Sequence, residues 1–400
     1  MKDKNSKKPK PKKWTKFRHR VIFAVVRWIL VPIFKLRYNL VRGKEEKKLP
    51  KSCIIMCNHQ AVMDPFFVAA TLKRPIYFVM SQDVFTLGLL SKLICYLVAP
   101  IPKSKSKSDL NTIRYTLKVL GEGGTVGLFP SGNRTLSGEE WTIDRSAAKL
   151  VKLAKVPLAL YNMKGGYGAD PRWGNKLRKG KVSVGLERLL TKEEIENMSV
   201  DELYDVIVKT LGVKDAPSTV KFKSSKKAEY LERALYYCPN CHSFCSLSSD
   251  KNILKCNNCG ISVEYCEDLT LKPLNGNILG NTVAEWFNAQ PKALEEYAKN
   301  TEGKLFADDV ELRLIKGVNR KKLGNANIVG FRNGVDIQAE NGEKYDLKFC
   351  DLAGCTVLGK RKINFYTADE TTVQVKGSKR FNAIKYLNLY WLSKKGENNE

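Results

Sequence analysis

Apolar and polar positions divide this chain into regions with different periods. Residues 52–57, Ser-Cys-Ile-Ile-Met-Cys, form a short apolar run that predicts a buried strand. Asp64-Pro65 then reads as a helix N-cap followed by proline at the first helical position. Residues 75–80 predict a second strand, and the apolar stretch 87–97 a helix. Ser108-Asp109 caps a helix in which Ile113, Leu117 and Leu120 recur on one side. Residues 125–129 return to strand, and 201–208 form an amphipathic helix with Leu203, Ile207 and Leu211 on its apolar stripe. This alternation predicts an α/β layer.

Beyond residue 212 the pattern changes. A polar Lys/Ser-rich stretch reads as a linker, and residues 282–300 as a helix with Pro291 marking a kink or a restart. From Lys304 the period becomes two: Val335, Ile337 and Ala339 alternate with polar residues, Asn341-Gly342 supplies a hairpin turn, and Tyr345, Leu347 and Phe349 alternate again. Residues 362–366 and 371–375 predict further strands. A last helix is expected to carry Phe381, Ile384, Leu387 and Trp391 on one face. The β-rich part closed by a helix resembles a pleckstrin-homology-like barrel, or else is an accessory sheet packed on the rest of the chain.

Charge adds a surface to this outline. The formal net charge is +28, and residues 1–20 hold ten Lys/Arg against one Asp, a basic arm expected to be disordered. Such arms bind nucleic acid or anionic lipid. Residues 21–36 are apolar apart from Arg27 and Lys35, yet shorter than the roughly 20 apolar residues that span a bilayer. They are expected to lie in the membrane interface, with the basic arm as a second anchoring signal; the other reading is a core helix. Without a prompt small-residue cleavage site, a secretory signal is disfavoured.

Cys238-Pro239-Asn240-Cys241 and Cys256-Asn257-Asn258-Cys259 form two C-x2-C pairs separated by fourteen residues. Paired knuckles at this spacing predict a zinc ribbon, with Cys238, Cys241, Cys256 and Cys259 closing a tetrahedral shell around Zn²⁺. Four thiolates leave no open position, so the metal is expected to be structural. Cys245 and Cys266 are extra thiols nearby, while Cys53, Cys57, Cys95, Cys350 and Cys355 are expected to be buried and reduced. Between residues 236 and 268, Lys251 and Lys255 stand against Asp250, Glu264, Glu267 and Asp268, which disfavours nucleic acid as the ribbon's partner.

Reactive chemistry concentrates where the strands end. Asn58, His59 and Asp64 follow the 52–57 strand, putting an imidazole five residues before a carboxylate in a connecting loop. One Asp64 oxygen is expected to cap the helix while the other accepts the Nδ1 proton of His59, leaving Nε2 free to take a proton from a hydroxyl. The loop 130–135, Pro-Ser-Gly-Asn-Arg-Thr, leaves the 125–129 strand with backbone N–H groups and a guanidinium suited to a phosphate monoester.

At these residues the chain resembles the glycerolipid acyltransferase family, whose members acylate glycerol phosphate or lysophosphatidate. The resemblance covers about residues 37–212 and implies a mixed sheet flanked by helices. The N-H-x4-D motif is matched by Asn58, His59 and Asp64, with His59 as general base and Asp64 as its holder. A second motif corresponds loosely to residues 99–103, with Lys103 where Arg is usual. A third, F-P-E-G-x-R-S, aligns with residues 129–135 and keeps Gly132 and Arg134, but Ser131 stands in place of its glutamate and Thr135 in place of its serine. A fourth resembles residues 156–160, followed by Lys164-Gly165-Gly166. The resemblance implies substrate contacts from Asn58, Lys103, Ser131, Gly132, Arg134 and Thr135.

The activity so implied is O-acyl transfer from an acyl thioester, of acyl-carrier protein or coenzyme A, to a lysophospholipid acceptor such as lysophosphatidate. It would take place at an anionic membrane surface on the cytoplasmic face. The loss of the glutamate leaves another lysolipid acceptor, or a non-catalytic lipid-binding scaffold, as alternatives. The organisation expected is a basic arm (1–20), an interfacial helix (21–36), an acyltransferase domain (37–212), a linker (213–230), a zinc ribbon (231–270), a helical connector (271–300) and a β-rich domain (301–395).

Overall fold

The computed structural model describes residues 13–43, 49–81, 85, 89–103, 110–278, 280–317 and 319–397. Most of the basic arm, up to residue 12, and the Ser108-Asp109 cap lie outside the described residues.

The first sheet is built from α1 (Phe17–Tyr38), β1 (Val41–Arg42), β2 (Cys53–Cys57), α2 (Asp64–Ala70), β3 (Ile76–Ser81), α3 (Leu89–Val98), β4 (Ile101–Lys103), α4 (Leu110–Gly121), β5 (Thr125–Leu128), α5 (Ser146–Ala154), β6 (Leu158–Lys164), α6 (Gly166–Ala169), β7 (Ser183–Leu190), α7 (Lys192–Asn197) and α8 (Val200–Leu211). Its strand order is β1-β7-β6-β2-β5-β3-β4. The pairs from β6 through β4 are parallel, and β6 with β7 is antiparallel, so the sheet is mixed as expected. Strand β2 lies between β5 and β6 with every residue buried, which is why its sequence is apolar without interruption. Its alternate side chains enter two cores. Ile54 and Met56 pack with residues of α4, α5 and α8, whereas Cys53, Ile55 and Cys57 pack with α1 and α2.

Helix α1 is not a core helix. Only His19, Val31, Phe34 and Tyr38 are buried, and Phe34 and Tyr38 meet Phe67 of α2 edge-on at ring-centroid distances of 5.1 and 5.0 Å. Its other face exposes Phe17, Val21, Val25, Trp28, Ile29 and Leu36. Among the described residues no helix is long and apolar enough to cross a membrane.

The stretch 213–230 is a strap packed against the body. Phe222 is fully buried against Gly168 and Gly180, where a Cβ would come within 2.4 and 2.2 Å of its ring atoms, so only glycine leaves room. The N–H groups of Ser218 and Phe222 donate to the carbonyls of Asp268 and Glu267, tying the strap to the next module. That module is a four-stranded antiparallel sheet of β8 (Leu247–Asp250), β9 (Ile253–Cys256), β10 (Ser262–Tyr265) and β11 (Leu271–Asn275).

Helix α9 (Val283–Asn300) opens on a capping box between Thr282 and Glu285 and runs through Pro291 without restarting. Proline cannot donate to the Phe287 carbonyl. The Gln290 side chain approaches that carbonyl at 3.5 Å, and also donates to Ala234 O and accepts from Tyr236 N–H.

The C-terminal sheet comprises β12 (Phe306–Lys316), β13 (Asn319–Phe331), β14 (Gly334–Ala339), β15 (Lys344–Lys348), β16 (Leu352–Leu358), β17 (Lys362–Thr367) and β18 (Thr371–Gly377), closed by α10 (Ile384–Glu397). All its pairs are antiparallel, in the order β15-β14-β13-β12-β18-β17-β16. The closing helix differs in detail from expectation. Phe381 precedes it, Trp391 is 54 % exposed, and Tyr386, Leu389 and Tyr390 fill the buried face. One continuous apolar core joins β2 and α2 through Trp173, Phe222 and Tyr236 to Phe306 and Tyr386. The C-terminal sheet is therefore packed on the α/β body.

Candidate active site

The parallel strands β2, β5, β3 and β4 end at one edge, where an α/β sheet leaves its loops free to hold ligands. His59 leaves β2 at that edge. Its Nδ1 lies 2.8 Å from Asp64 Oδ2, and the same oxygen accepts the backbone N–H of Gln60 at 2.6 Å and of Ala61 at 2.9 Å. Asp64 is fully buried, while 19 % of the His59 side chain is exposed. The ring stacks on Phe129 at the end of β5, centroid to centroid 4.4 Å. Sequence spacing thus brings base and carboxylate together, with one correction. Asp64 is the first residue of α2, with Met63 at the N-cap making no side-chain cap, and its second oxygen is buried without a partner. The carboxylate closes its own loop.

The loop after β5 is held to the first by a hydrogen bond from Thr135 N–H to His59 O. Several residues expected to contact substrate are occupied inside the protein. Asn58 is buried, its amide donating to Met163 O at 2.8 Å and accepting from Met163 N–H at 2.7 Å, so it bolts β2 to β6. Thr135 is also buried, with its hydroxyl bound to Glu139 O and to Gly138 N–H. Gly132 takes the left-handed conformation (φ +68°) that favours glycine, and its N–H donates to Phe129 O. Two of the backbone donors expected to cradle phosphate, those of Gly132 and Thr135, are therefore engaged. Lys103 is exposed at the end of β4, beside Asp144 and three strand spacings, about 14 Å, from β2.

What remains at the loop is Arg134. Its guanidinium Nη1 is buried without a hydrogen-bond partner among the described residues, and burial lowers its pKa against the opposing pull of Asp170 and Asp64. Asp170 accepts the Val62 N–H of the His59 loop, and burial raises its pKa.

Three further carboxyl and amide groups complete the surroundings, and none is part of the motif spacing. Glu140 accepts the His59 N–H, at 3.1 Å to Oε2, and bonds the Ser131 hydroxyl. Burial, with Asp64 and Asp215 nearby, pushes its pKa up to about 8. A carboxyl group nine residues beyond Ser131 therefore lies beside the serine that replaces the third motif's glutamate. Gln60 donates to Asp215 at 2.7 Å and accepts from Gly166 N–H at 2.9 Å, and burial raises Asp215 to about 7. Asp215 borders a cleft of about 760 Å³ that is also lined by Lys164, Lys181, Lys209 and Lys214 and not by His59.

The four cysteines expected to bind zinc converge, all sulfurs lying within 4.8 Å of one another. Cys238 and Cys259 Sγ are 3.9 Å apart and Cys241 and Cys256 Sγ 3.7 Å. Four thiolates about 2.3 Å from one tetrahedral zinc would be about 3.8 Å apart. Asn240 and Asn258 donate to Cys259 and Cys241 sulfurs, each at 3.4 Å, and Ser246 Oγ is 3.2 Å from Cys256 Sγ, which suits thiolates rather than neutral thiols. Cys245 and Cys266 stand outside the cluster. Of the cysteines expected to be buried, Cys350 is exposed and Cys95 only half-buried.

Residues 40–161 match the family model described as Acyltransferase. A 1-acyl-sn-glycerol-3-phosphate acyltransferase of Bacillus subtilis is 24 % identical over 174 residues, 43 % of this chain and 83 % of that protein. The chloroplastic 1-acyl-sn-glycerol-3-phosphate acyltransferase BAT2 of Brassica napus is 21 % identical over 194 residues, 48 % of this chain and 54 % of its own length. Among solved structures, the 1-acyl-sn-glycerophosphate acyltransferase of Thermotoga maritima is 17 % identical with a TM-score of 0.42, covering 48 % of this chain and 78 % of that one. The matched segment holds both strand-end loops, so the similarity to 1-acyl-sn-glycerol-3-phosphate acyltransferases covers the candidate site, and the segment is an acyltransferase domain.

Proposed function

We propose that this enzyme transfers a fatty acyl group from an acyl thioester to the free hydroxyl of a lysophosphatidate-like acceptor, forming phosphatidate at a membrane surface. The observation that carries the reading is the contact between His59 Nδ1 and a buried Asp64 whose oxygen is also held by two backbone N–H groups. That arrangement orients the imidazole with Nε2 directed to a substrate. In the mechanism, Nε2 takes the proton of the acceptor hydroxyl as its oxygen attacks the thioester carbonyl. The tetrahedral intermediate collapses with cleavage of the C–S bond, and the imidazolium returns the proton to the departing thiolate. Base assistance of this kind contributes on the order of 10²- to 10⁴-fold. Arg134, with an unpartnered Nη1, supplies the charge for the acceptor's phosphate.

The membrane assignment follows from apolar side chains left in water. Exposed Phe17, Trp28 and Leu36 of α1, Phe66 of α2, and Leu89, Leu93 and Tyr96 of α3 belong to helices that pack on one another beside the catalytic loop. Immersing each large side chain is worth about 1.5–3 kcal/mol, and each nearby Lys or Arg about 1 kcal/mol on an anionic surface. We assign this face to the bilayer on the cytoplasmic side, with acyl-carrier protein or coenzyme A bringing the donor. Cys238, Cys241, Cys256 and Cys259 would hold a structural Zn²⁺, which supplies folding energy and no catalytic step.

Mass spectrometry of products tests the reading. Full-length protein incubated with vesicles, lysophosphatidate and either acyl-coenzyme A or acyl-carrier protein is expected to yield phosphatidate; no acylated product from either donor would overturn it.

A further inference from the structure

Arg134 is not alone at its end of the site. Arg172, on the β6–β7 connection, is buried, and its guanidinium staples three segments. Nη1 donates to Arg134 O at 3.2 Å, Nε to Gly359 O at 3.0 Å and Nη2 to Val357 O at 2.6 Å. The last two carbonyls belong to the β16–β17 turn and to the end of β16 in the C-terminal sheet, which is thereby fixed against the Arg134 loop.

The residue at the tip of that turn is Lys360. Its ammonium carries three N–H donors. Two go to Gly174 O and Asn175 Oδ1, and no other partner is found among the described residues. Lys360 and Arg134 both lie within electrostatic reach of Asp170, which itself touches the His59 loop through Val62 N–H. Arg134, Arg172 and Lys360 against Asp170 and Asp64 leave an excess of one positive charge, with Arg233 adding more behind Asn175. An unoffset positive charge in a half-buried site favours an anion. A phosphate monoester carries about −1.5 to −2 at neutral pH.

We propose that Lys360, presented by the C-terminal sheet, binds the acceptor's phosphate together with Arg134, so that the sheet is part of the active site. This rests on reading the enzyme as acting on a lysophosphatidate-like acceptor. Lys360 turns inward, Arg361 binds Gly377 O, Lys376 pairs with Glu311, and Arg380 with Glu232.

The test uses the full chain and two acceptors of equal chain length, lysophosphatidate and the phosphate-free monoacylglycerol, the latter as substrate or as competitive inhibitor. Lys360→Gln keeps donors for Gly174 and Asn175 but removes the charge. It is expected to raise KM for lysophosphatidate about 10- to 100-fold, the value of a charge-assisted hydrogen bond, leaving kcat within about twofold and monoacylglycerol affinity unchanged. Lys360→Arg should recover most of the loss. An unchanged KM for lysophosphatidate, or an equal loss for both acceptors, overturns the inference alone. A wild-type enzyme that acylates other lysolipids but not lysophosphatidate overturns the acceptor assignment and this inference together.

Discussion

The two loops at the carboxyl edge of the first sheet are built in opposite ways. In the loop after β2, Asp64 gathers the His59 imidazole and the Gln60 and Ala61 N–H groups, all within five residues of itself. In the loop after β5, Gly132 N–H turns back on Phe129 O, but the chemistry is supplied from outside the loop: Glu140 against Ser131, Arg172 beneath Arg134, and Lys360 near Asp170. A group that must hold one proton at one atom gains from short, stiff connections. A charge cradle for a headgroup can be assembled from distant elements, because electrostatic attraction tolerates looser geometry than proton transfer.

Substitutions should separate the two loops. The largest effect is expected from His59→Ala, which should lower kcat by 10²- to 10⁴-fold with the melting temperature nearly unchanged; a variant retaining wild-type turnover would break the comparison at its root. Asp64→Ala should lose turnover as well, and in addition be destabilised by about 2–5 kcal/mol, because the N–H groups of Gln60 and Ala61 are left without their acceptor. Denaturant unfolding reads that second loss directly.

Arg134→Ala should act on the other term, raising KM for lysophosphatidate by about 10- to 100-fold with a smaller change in kcat. If kcat falls as far as in His59→Ala, the division between proton handling and headgroup binding fails.

Glu140 offers a finer probe because it touches both loops. Its pKa in the folded protein, about 8, lies above the ordinary carboxyl value of 4.5. The folded state then holds a proton that the unfolded chain has released, so stability falls as pH rises from about 4.5 to about 8 and is flat above. Asp215, raised to about 7, contributes in the same direction over a lower range. Glu140→Gln should flatten part of that slope, and melting curves at pH 5.5 and 8.5 that differ as much in the variant as in wild type would contradict it. The smallest effect is expected from Trp28→Ser with Leu36→Ser on α1, which should reduce co-sedimentation with anionic vesicles about tenfold or more while leaving turnover of soluble acceptor analogues intact.

Legibility in the sequence follows the same divide. The His59–Asp64 pair, the four zinc-type cysteines and the strands that carry them are visible because neighbours in sequence are neighbours in space. An apolar run of five residues between turn signals becomes a central strand in almost any α/β context. Asn58, Gly132 and Thr135 show the limit, since motif position identified them and only packing revealed that Met163, Phe129 and Glu139 occupy their polar groups.

By itself, then, the chain's pattern determined the α/β class, the pairing of His59 with Asp64, the thiolate cluster and the greasy helix near its start. Tertiary structure alone decided that the 213–230 strap is packed, that Glu140 stands beside Ser131, and that the C-terminal sheet reaches the Arg134 loop. Those contacts join residues up to about two hundred positions apart, such as Arg172 with Val357. No local period encodes such a pairing. It arises because buried donors and charges must find partners wherever folding brings them.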